Sequence, residues 1–462
     1  MHQSQNPYYA LMTMELFSDQ GTIKRSLDAK MIWNGCVLNY IKNTRSNDGF
    51  EIFKKDHDIF SLTEDELSRV NTKLVRMGKN DSSQNNWDLN LLDFNEIKLS
   101  NIRISNEFNI DNFIIPSKID FEHCQFSKKT SFNNTQFLWL ANFSNVTFED
   151  TVEFINTEFE EAIFTNAQFK KKTIFQSTKF NGLATFDDAI FNDYIYFNEK
   201  VVFNREARFN RSEFKNIANF THCIFRRNAN FNHSIFSSNL IMNLATTHED
   251  IDFSNVRFLS GANFDACDFT YPPQFFECNL HENTTFKHFN WPVPKFEHEA
   301  LIFIPRYERL KLLMNRQNRY NSEHMFLREE LKCREIALKK NKDKSLSDRF
   351  EICFSGIYGF ASDYGWSISK PAIYLVILWF SLGTLIGGFE TLYCNSEVGF
   401  LKSYAISFAN LFNFLGFNKV YLSDEINSLS EISSVLSAIE TILGIILMFL
   451  LLLALRNHYR MK

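Results

Sequence analysis

Apolar residues in this chain recur at a spacing that neither a helix nor a flat strand uses. From Phe121 to Phe236, every step between successive ladder phenylalanines is five or six residues. An amphipathic helix repeats at three and four residues, and a strand at two. A step of five or six fits a chain that turns a corner at each repeat and sends one side chain inward per side. Four sides close one coil of a β-solenoid, with coils about 4.8 Å apart and joined by backbone hydrogen bonds. Paired steps of five and six predict about 22 residues per coil, and nine coils make a rod roughly 43 Å long. After a break over "NLIMNLATTHED" the beat resumes at Phe253, Phe258, Phe264, Phe269 and Phe275, and a weaker lead-in uses Leu92, Ile97, Ile102, Phe108 and Phe113.

The position two before the phenylalanine is often alanine, as at Ala141, Ala162, Ala184, Ala207, Ala218, Ala229 and Ala262. A small residue suits a narrow interior shared by two inward side chains. Asparagine follows at Asn142, Asn219, Asn230 and Asn263, and polar residues favour the corners. The triplet "ANF" resembles the repeat core of the pentapeptide-repeat family, most closely its Phe-rich branch with alternating steps. The resemblance covers roughly residues 92–290 and implies a right-handed, four-sided β-helix. The ladder phenylalanines then build a core and carry no chemistry.

From Pro371 the pattern changes. "AIYLVILWFSLGTLIGGF" carries no charge, and the run from Val435 to Leu455 carries one, Glu440. Each is long enough as a helix to span a bilayer. Arg349 and Lys370 precede the first run, and Arg456, Arg460 and Lys462 follow the second, which places both chain ends in the cytoplasm. Between them, "FLKSYAISFANLFNFLGF" is apolar but interrupted by Asn410, Asn413 and Gly416. It reads as a re-entrant helix, or as one lying on the outer surface. Glu440 shares a helical face with Ser433, Ser437, Thr441, Gly444 and Met448. Two readings stand for that face: a pore lining bearing a ring of carboxylates, with Asn410 and Asn413 from the re-entrant segment, or a carboxylate that snorkels to the outer interface. A pore requires an oligomer, with four copies the natural closure. The potassium-filter motif TVGYG is absent.

Residues 293–371 form a basic connector with helical periodicity, holding 13 Lys/Arg against 7 Asp/Glu from Arg306 to Arg349. Its "SDYG" at Ser362–Gly365, the following Lys370–Pro371, and the terminal "ALRNHYR" resemble the tail of bacterial pentapeptide-repeat membrane proteins. The layout is similar to that of ion-channel-type effectors, including the Hailong anti-phage membrane effectors. The resemblance implies an inner-membrane location, contact with membrane lipid, and gating by an oligonucleotide made by a partner nucleotidyltransferase. Residues 1–90 read as a mixed α/β region that covers the solenoid's end; "SLTEDELSRVNTKLVRMG" carries a capping box, Thr63 with Glu66, and "MIWNGCVLNYI" reads as a strand or a buried helix. The chain therefore divides at 1–90, 91–292, 293–371 and 372–462.

Composition adds limits. Phenylalanine occurs 51 times in 462 residues and glycine 15 times, and the net charge is −5. The eight cysteines form no CxxC pair and read as buried thiols of a reducing compartment. The N-terminal stretch does not read as a secretory signal. Phosphate-loop, dinucleotide, zinc-protease and serine-hydrolase motifs are missing, so no enzyme and no cofactor are expected. Arg205, Arg208, Arg211, Lys215, Arg226 and Arg227 form a basic cluster. With a 22-residue coil, Arg205 stacks under Arg227, a candidate stripe for a phosphate chain or a plain solvated face. Two other functions stay open: a membrane-anchored scaffold that binds a protein, and a DNA mimic, for which the rod's 21 Asp/Glu against 15 Lys/Arg between 120 and 290 is a weak excess.

Overall fold

The computed structural model describes residues 6–14, 29–44, 62–80, 96–287, 290–340, 345–392, 399–413 and 422–459. The chain forms two compact units, Met1–Pro292 and Val293–Lys462.

The first unit is a parallel β-solenoid of very short strands. Each strand pairs with the strand one coil further on, as Val202–Phe203 does with Ile224–Phe225. Two of its faces are eight-stranded ladders, and the other two merge into one sheet where the longer strands Gln136–Asn142 and Glu158–Ile163 run through a corner. Single bridges at Gln274, Asn279 and Thr285 add a reduced ninth rung. The predicted coil length holds and its variation has a cause. Steps of five, five, five and six shorten the coil to 21, pairing Val152 with Thr173. Steps of five, six, six and six lengthen it to 23, pairing Ala184 with Ala207. The spare residue is absorbed at a corner, so the ladder keeps its register.

Alternate corners hold a residue in the left-handed region, among them Asn112, Asn134, Asn145, Asn156, Arg211 and His222. Asparagine tolerates that backbone best among residues with a Cβ. Inside, the phenylalanines stack in columns at the coil pitch: Phe143–Phe164, Phe164–Phe186 and Phe186–Phe209 lie 4.7, 4.8 and 4.8 Å apart and nearly parallel. Neighbouring columns meet edge to face, as Phe186 and Phe197 do at 5.5 Å and 83°.

Two details of the sequence reading change. The ladder has no gap: Met242 and Thr247, both fully buried, fill the rungs between Phe236 and Phe253. The lead-in is offset by two. Leu99, Ile104, Ile110 and Ile115 stand one coil before Phe121, Phe126, Phe132 and Phe137, while Ile97, Ile102, Phe108 and Phe113 are buried at the alanine position; Leu92 lies outside the described residues. Of the cysteines read as buried thiols, Cys353 is exposed, and three of the buried ones share one repeat position. Cys124, Cys223 and Cys267 each follow a left-handed corner and donate a thiol hydrogen bond to a carbonyl of the preceding coil, from 2.7 to 3.0 Å. Thr135, Thr157, Thr178 and Ser212 do the same with hydroxyls. Burial raises the thiols of Cys124 and Cys267 to about 12, so they stay neutral donors.

Among the described residues the N-terminal region is helical, not mixed: α1 (Pro7–Met12), α2 (Ala29–Thr44) and α3 (Glu64–Asn80). The Thr63–Glu66 capping box is present at 2.8 and 3.2 Å. Of the two readings of "MIWNGCVLNYI", the buried helix is correct. Trp33 Nε1 donates to Ile114 O at 2.8 Å, Asn34 Oδ1 accepts from Ile114 N at 2.9 Å, and Asn6 Nδ2 donates to Lys98 O at 2.7 Å. The helices thus bond to backbone groups of the first coils.

The second unit contains α4 (Glu297–Arg316), α5 (Tyr320–Lys340), α6 (Leu346–Ser362), α7 (Ser369–Leu392), α8 (Phe400–Leu411), α9 (Ser423–Asn427) and α10 (Glu431–Tyr459). α4 and α5 form a hairpin around Tyr307 and Phe326. Its buried carboxylates are compensated: Glu330 pairs with Lys311 at 2.6 Å and Arg334 at 2.8 Å, and Glu329 with Arg328 and Lys332. α7 and α10, of 24 and 29 residues, are long and apolar enough to cross a membrane.

Candidate functional site: a short helix held between two apolar helices

α8 sits between α7 and α10, and polar groups hold it there. On the α7 side, Trp379 Nε1 donates to Tyr404 O at 2.9 Å, and Ser407 Oγ donates to Trp379 O at 2.9 Å. On the α10 side, Ser407 also meets the Glu440 carboxyl, and Asn410 Nδ2 donates to Ser437 Oγ at 2.6 Å and Glu440 Oε2 at 3.0 Å. Glycines make the approach close. A Cβ on Gly383 would sit 2.5 Å from the Tyr404 ring, one on Gly387 2.8 Å from Phe400, and one on Gly444 2.8 Å from Leu411. A second buried carboxylate, Glu390 of α7, accepts from Ser430 N and Oγ at 2.9 and 2.7 Å and so ties α7 to the start of α10.

The residues taken as a pore lining are divided by this arrangement. Ser433, Ser437, Glu440 and Gly444 are buried, and so is Asn410. Glu440, Ser437 and Gly444 meet α8 of the same chain. In this chain their face packs on a helix and does not open to water, and snorkelling is excluded with it, since Glu440 is fully buried. The physical reason is cost: a carboxylate among apolar helices must find donors, and Ser407 and Asn410 supply them. Thr441 returns its hydroxyl to Ser437 O at 2.9 Å. Met448 is half-buried, and Asn413 is exposed just beyond the end of α8. Sequence reasoning missed Trp379, Ser407 and the Glu390–Ser430 tie. The Gly383-x-x-x-Gly387 spacing, a mark of close helix packing in membranes, was the available signal.

A second polar junction joins α5, α6 and α10. Asn457 Nδ2 lies 2.9 Å from His324 Nε2 and donates to Gly365 O at 3.3 Å. Arg328 pairs with Asp363 at 3.1 Å and lies over the Trp366 ring. Tyr364 donates to Glu335. Asp363, Tyr364, Gly365 and Asn457 belong to the motifs of the connector and of the chain's end, and their contacts here fasten α5 to the ends of α6 and α10.

The basic cluster of the solenoid does not form one stripe. Register keeps Arg205 level with Arg227, with Arg226 beside it, at one corner. Arg208 lies on the next side and Arg211 at the next corner, while Lys215 lies at a third corner. Arg208 pairs with Asp187 at 2.6 Å, Arg211 with Asp188 at 2.7 Å, Lys215 with Glu213 at 3.9 Å, and Arg227 with Glu249. Arg205 and Arg226 have no ion-pair partner among the described residues, which leaves a compact basic corner in place of a six-residue stripe.

Compared with known proteins, the chain matches the family profile "Pentapeptide repeats" in nine copies, over residues 132–171 and 199–246. These stretches lie within the solenoid, which is therefore a pentapeptide-repeat β-helix. No curated protein matches the chain, and no solved structure does.

Proposed function

We propose that this chain is the subunit of an oligomeric membrane channel, with α7 and α10 as spanning helices and α8 as a re-entrant helix beside the conduction path. α8 is the observation that carries the reading. Its 12 residues make about 18 Å, too short for a hydrocarbon core of about 30 Å. Yet one side of it is buried and hydrogen-bonded to both spanning helices. A short element at membrane depth is tolerated where it is packed in protein or lines water. α8 meets the first condition along its length, and its C-terminal end at Asn413 carries the negative end of the helix dipole, which favours cations.

Two spanning helices cannot enclose a path, so the reading requires several copies, with four the natural closure. The basic flanks at Arg349, Lys370, Arg456 and Arg460 support cytoplasmic chain ends in a bacterial inner membrane. The solenoid is then the receiver of a cytoplasmic signal, and the corner of Arg205, Arg226 and Arg227 is where a phosphate chain docks. Likeness in layout to anti-phage effectors supports depolarisation of the infected cell as the outcome.

The test is conductance of the full chain in planar bilayers, with and without synthetic oligonucleotides, beside a potential-sensitive dye in expressing cells. Discrete cation-selective steps are expected. A protein that inserts but stays silent in both assays overturns the channel and favours a membrane-anchored scaffold.

A further inference from the structure

α6 carries its apolar side outward. Leu346, Phe350, Cys353, Phe354, Ile357 and Phe360 are all exposed, Leu346 at 76% and Phe354 at 71%. At 3.6 residues per turn they fall within about 120° of the helix circumference. The rest of the helix is mostly polar or small, with Asp348, Glu351, Ser355, Gly356 and Gly359, and its two larger side chains there, Ile352 and Tyr358, are half-buried. Ser355 Oγ donates to Glu335 of α5 at 3.5 Å, and a Cβ on Gly359 would lie 2.8 Å from the Tyr364 ring. α6 therefore turns Ser355 and Gly359 to its own chain, keeps Arg349 and Glu351 exposed, and leaves the apolar stripe uncovered.

What lies next to that stripe identifies its occupant. Three consecutive left-handed residues, Asp363, Tyr364 and Gly365, end α6 just before α7. The ring of Phe360 then stacks on Tyr374 of α7 at 5.2 Å and 15°. Tyr374 adjoins Ile373 and Ile377, which are 55% exposed and belong to the apolar side of the spanning helix. The stripe thus continues into the surface by which α7 meets lipid.

The geometry points to α6 as an interfacial helix, lying in the headgroup–acyl boundary of the bilayer with its stripe in lipid. The inference rests on α7 and α10 spanning the membrane. With 17 residues, about 25 Å, and charges on its other side, α6 is built to lie on a bilayer and not to cross it.

The native Cys353 thiol provides the probe, because the other described cysteines are buried. The full chain with Cys394→Ser is labelled at Cys353 with bimane and reconstituted in phosphatidylcholine vesicles with plain or brominated tails. The label loses roughly half its fluorescence to brominated lipid and little to aqueous iodide, as an apolar face at the boundary requires. With Cys353→Ser added, a label on Glu351→Cys shows the opposite preference. A label on Ile377→Cys reports on the spanning helix independently. Quenching of the Cys353 label by iodide alone leaves the stripe in water and overturns the proposal, while Ile377→Cys still meets bromine. Protection of Cys353 from both quenchers puts a protein on the stripe and also overturns it. Loss of bromine quenching at Ile377→Cys removes the spanning reading itself, and the interfacial helix with it.

Discussion

The solenoid and the α7–α8–α10 helices are built inside out relative to each other. In the solenoid, Phe143, Phe164, Phe186 and Phe209 are fully buried, and charges such as Arg211 and Asp188 pair on the outside. In the helices α7, α8 and α10 the interior holds Glu390, Ser403, Ser407, Asn410, Ser433, Ser437 and Glu440. Their outside is Ile373, Ile377, Phe380, Val435, Ile439, Ile442 and Phe449. With α7 and α10 read as spanning helices, each arrangement matches a solvent. In water, apolar burial drives packing. In lipid that drive is missing, and small residues with polar contacts hold helices together.

The largest effect expected from this comparison lies in the solenoid. Phe186 stacks on Phe164 and Phe209 and meets Phe175 and Phe197 edge to face. Phe186→Ala opens a cavity in a column that cannot shift without moving its neighbours, at a cost of about 3–5 kcal/mol. Urea unfolding of the solenoid measures it. A cost under about 1 kcal/mol would mean that backbone ladders, and not stacked rings, hold the coils together.

Next comes the polar core of the helices. Glu440→Ala leaves Ser407 and Asn410 without their shared acceptor, which costs about 2–3 kcal/mol for buried groups. Glu440→Gln keeps the size and one acceptor oxygen and costs about 1 kcal/mol. Melting of the helical unit in detergent separates the two. If the proposed channel is correct, ion flux follows the same order, because Glu440 bonds to Ser407 and Asn410 of α8. Flux abolished by Glu440→Gln with an unchanged melting point would return Glu440 to the conduction path.

How legible each unit was in the sequence follows from where its information lies. A solenoid side chain meets its equivalent one coil away, so register, columns and the Arg205–Arg227 alignment could be read by counting. Counting failed only where a repeat position changed identity: Met242 and Thr247 looked like a gap, and the lead-in was assigned to the alanine position. In the helical unit, spacing placed Ser433, Ser437, Glu440 and Gly444 correctly on one face. It carried no information on what packs against that face, because Ser407 and Asn410 approach from a separate helix. Within the solenoid the ion pairs of Arg208 and Arg211 were open to the same counting, since Asp187 and Asp188 lie one coil back, but the basic residues were read as a cluster without their acidic neighbours.

The smallest effect separates the two units most cleanly, because one substitution should change sign between them. Leu244 sits at a solenoid corner with φ 62° and 45% exposure. Asn112, Asn134 and Asn156 occupy the same left-handed corner in earlier coils. A left-handed backbone costs an ordinary L-residue roughly 1–2 kcal/mol, and asparagine less. Leu244 buries too little to offset that cost, so Leu244→Asn should stabilise the solenoid by up to about 1 kcal/mol. Leu385 of α7 is also exposed, at 56%, but on a helix read as facing lipid. There an unpartnered amide has no water to turn to, and Leu385→Asn should lower the yield of inserted protein. Chemical denaturation measures the first change and membrane fractionation the second. Stabilisation at both positions would show that the outside of α7 meets water, and the contrast between the two units would reduce to a difference in shape alone.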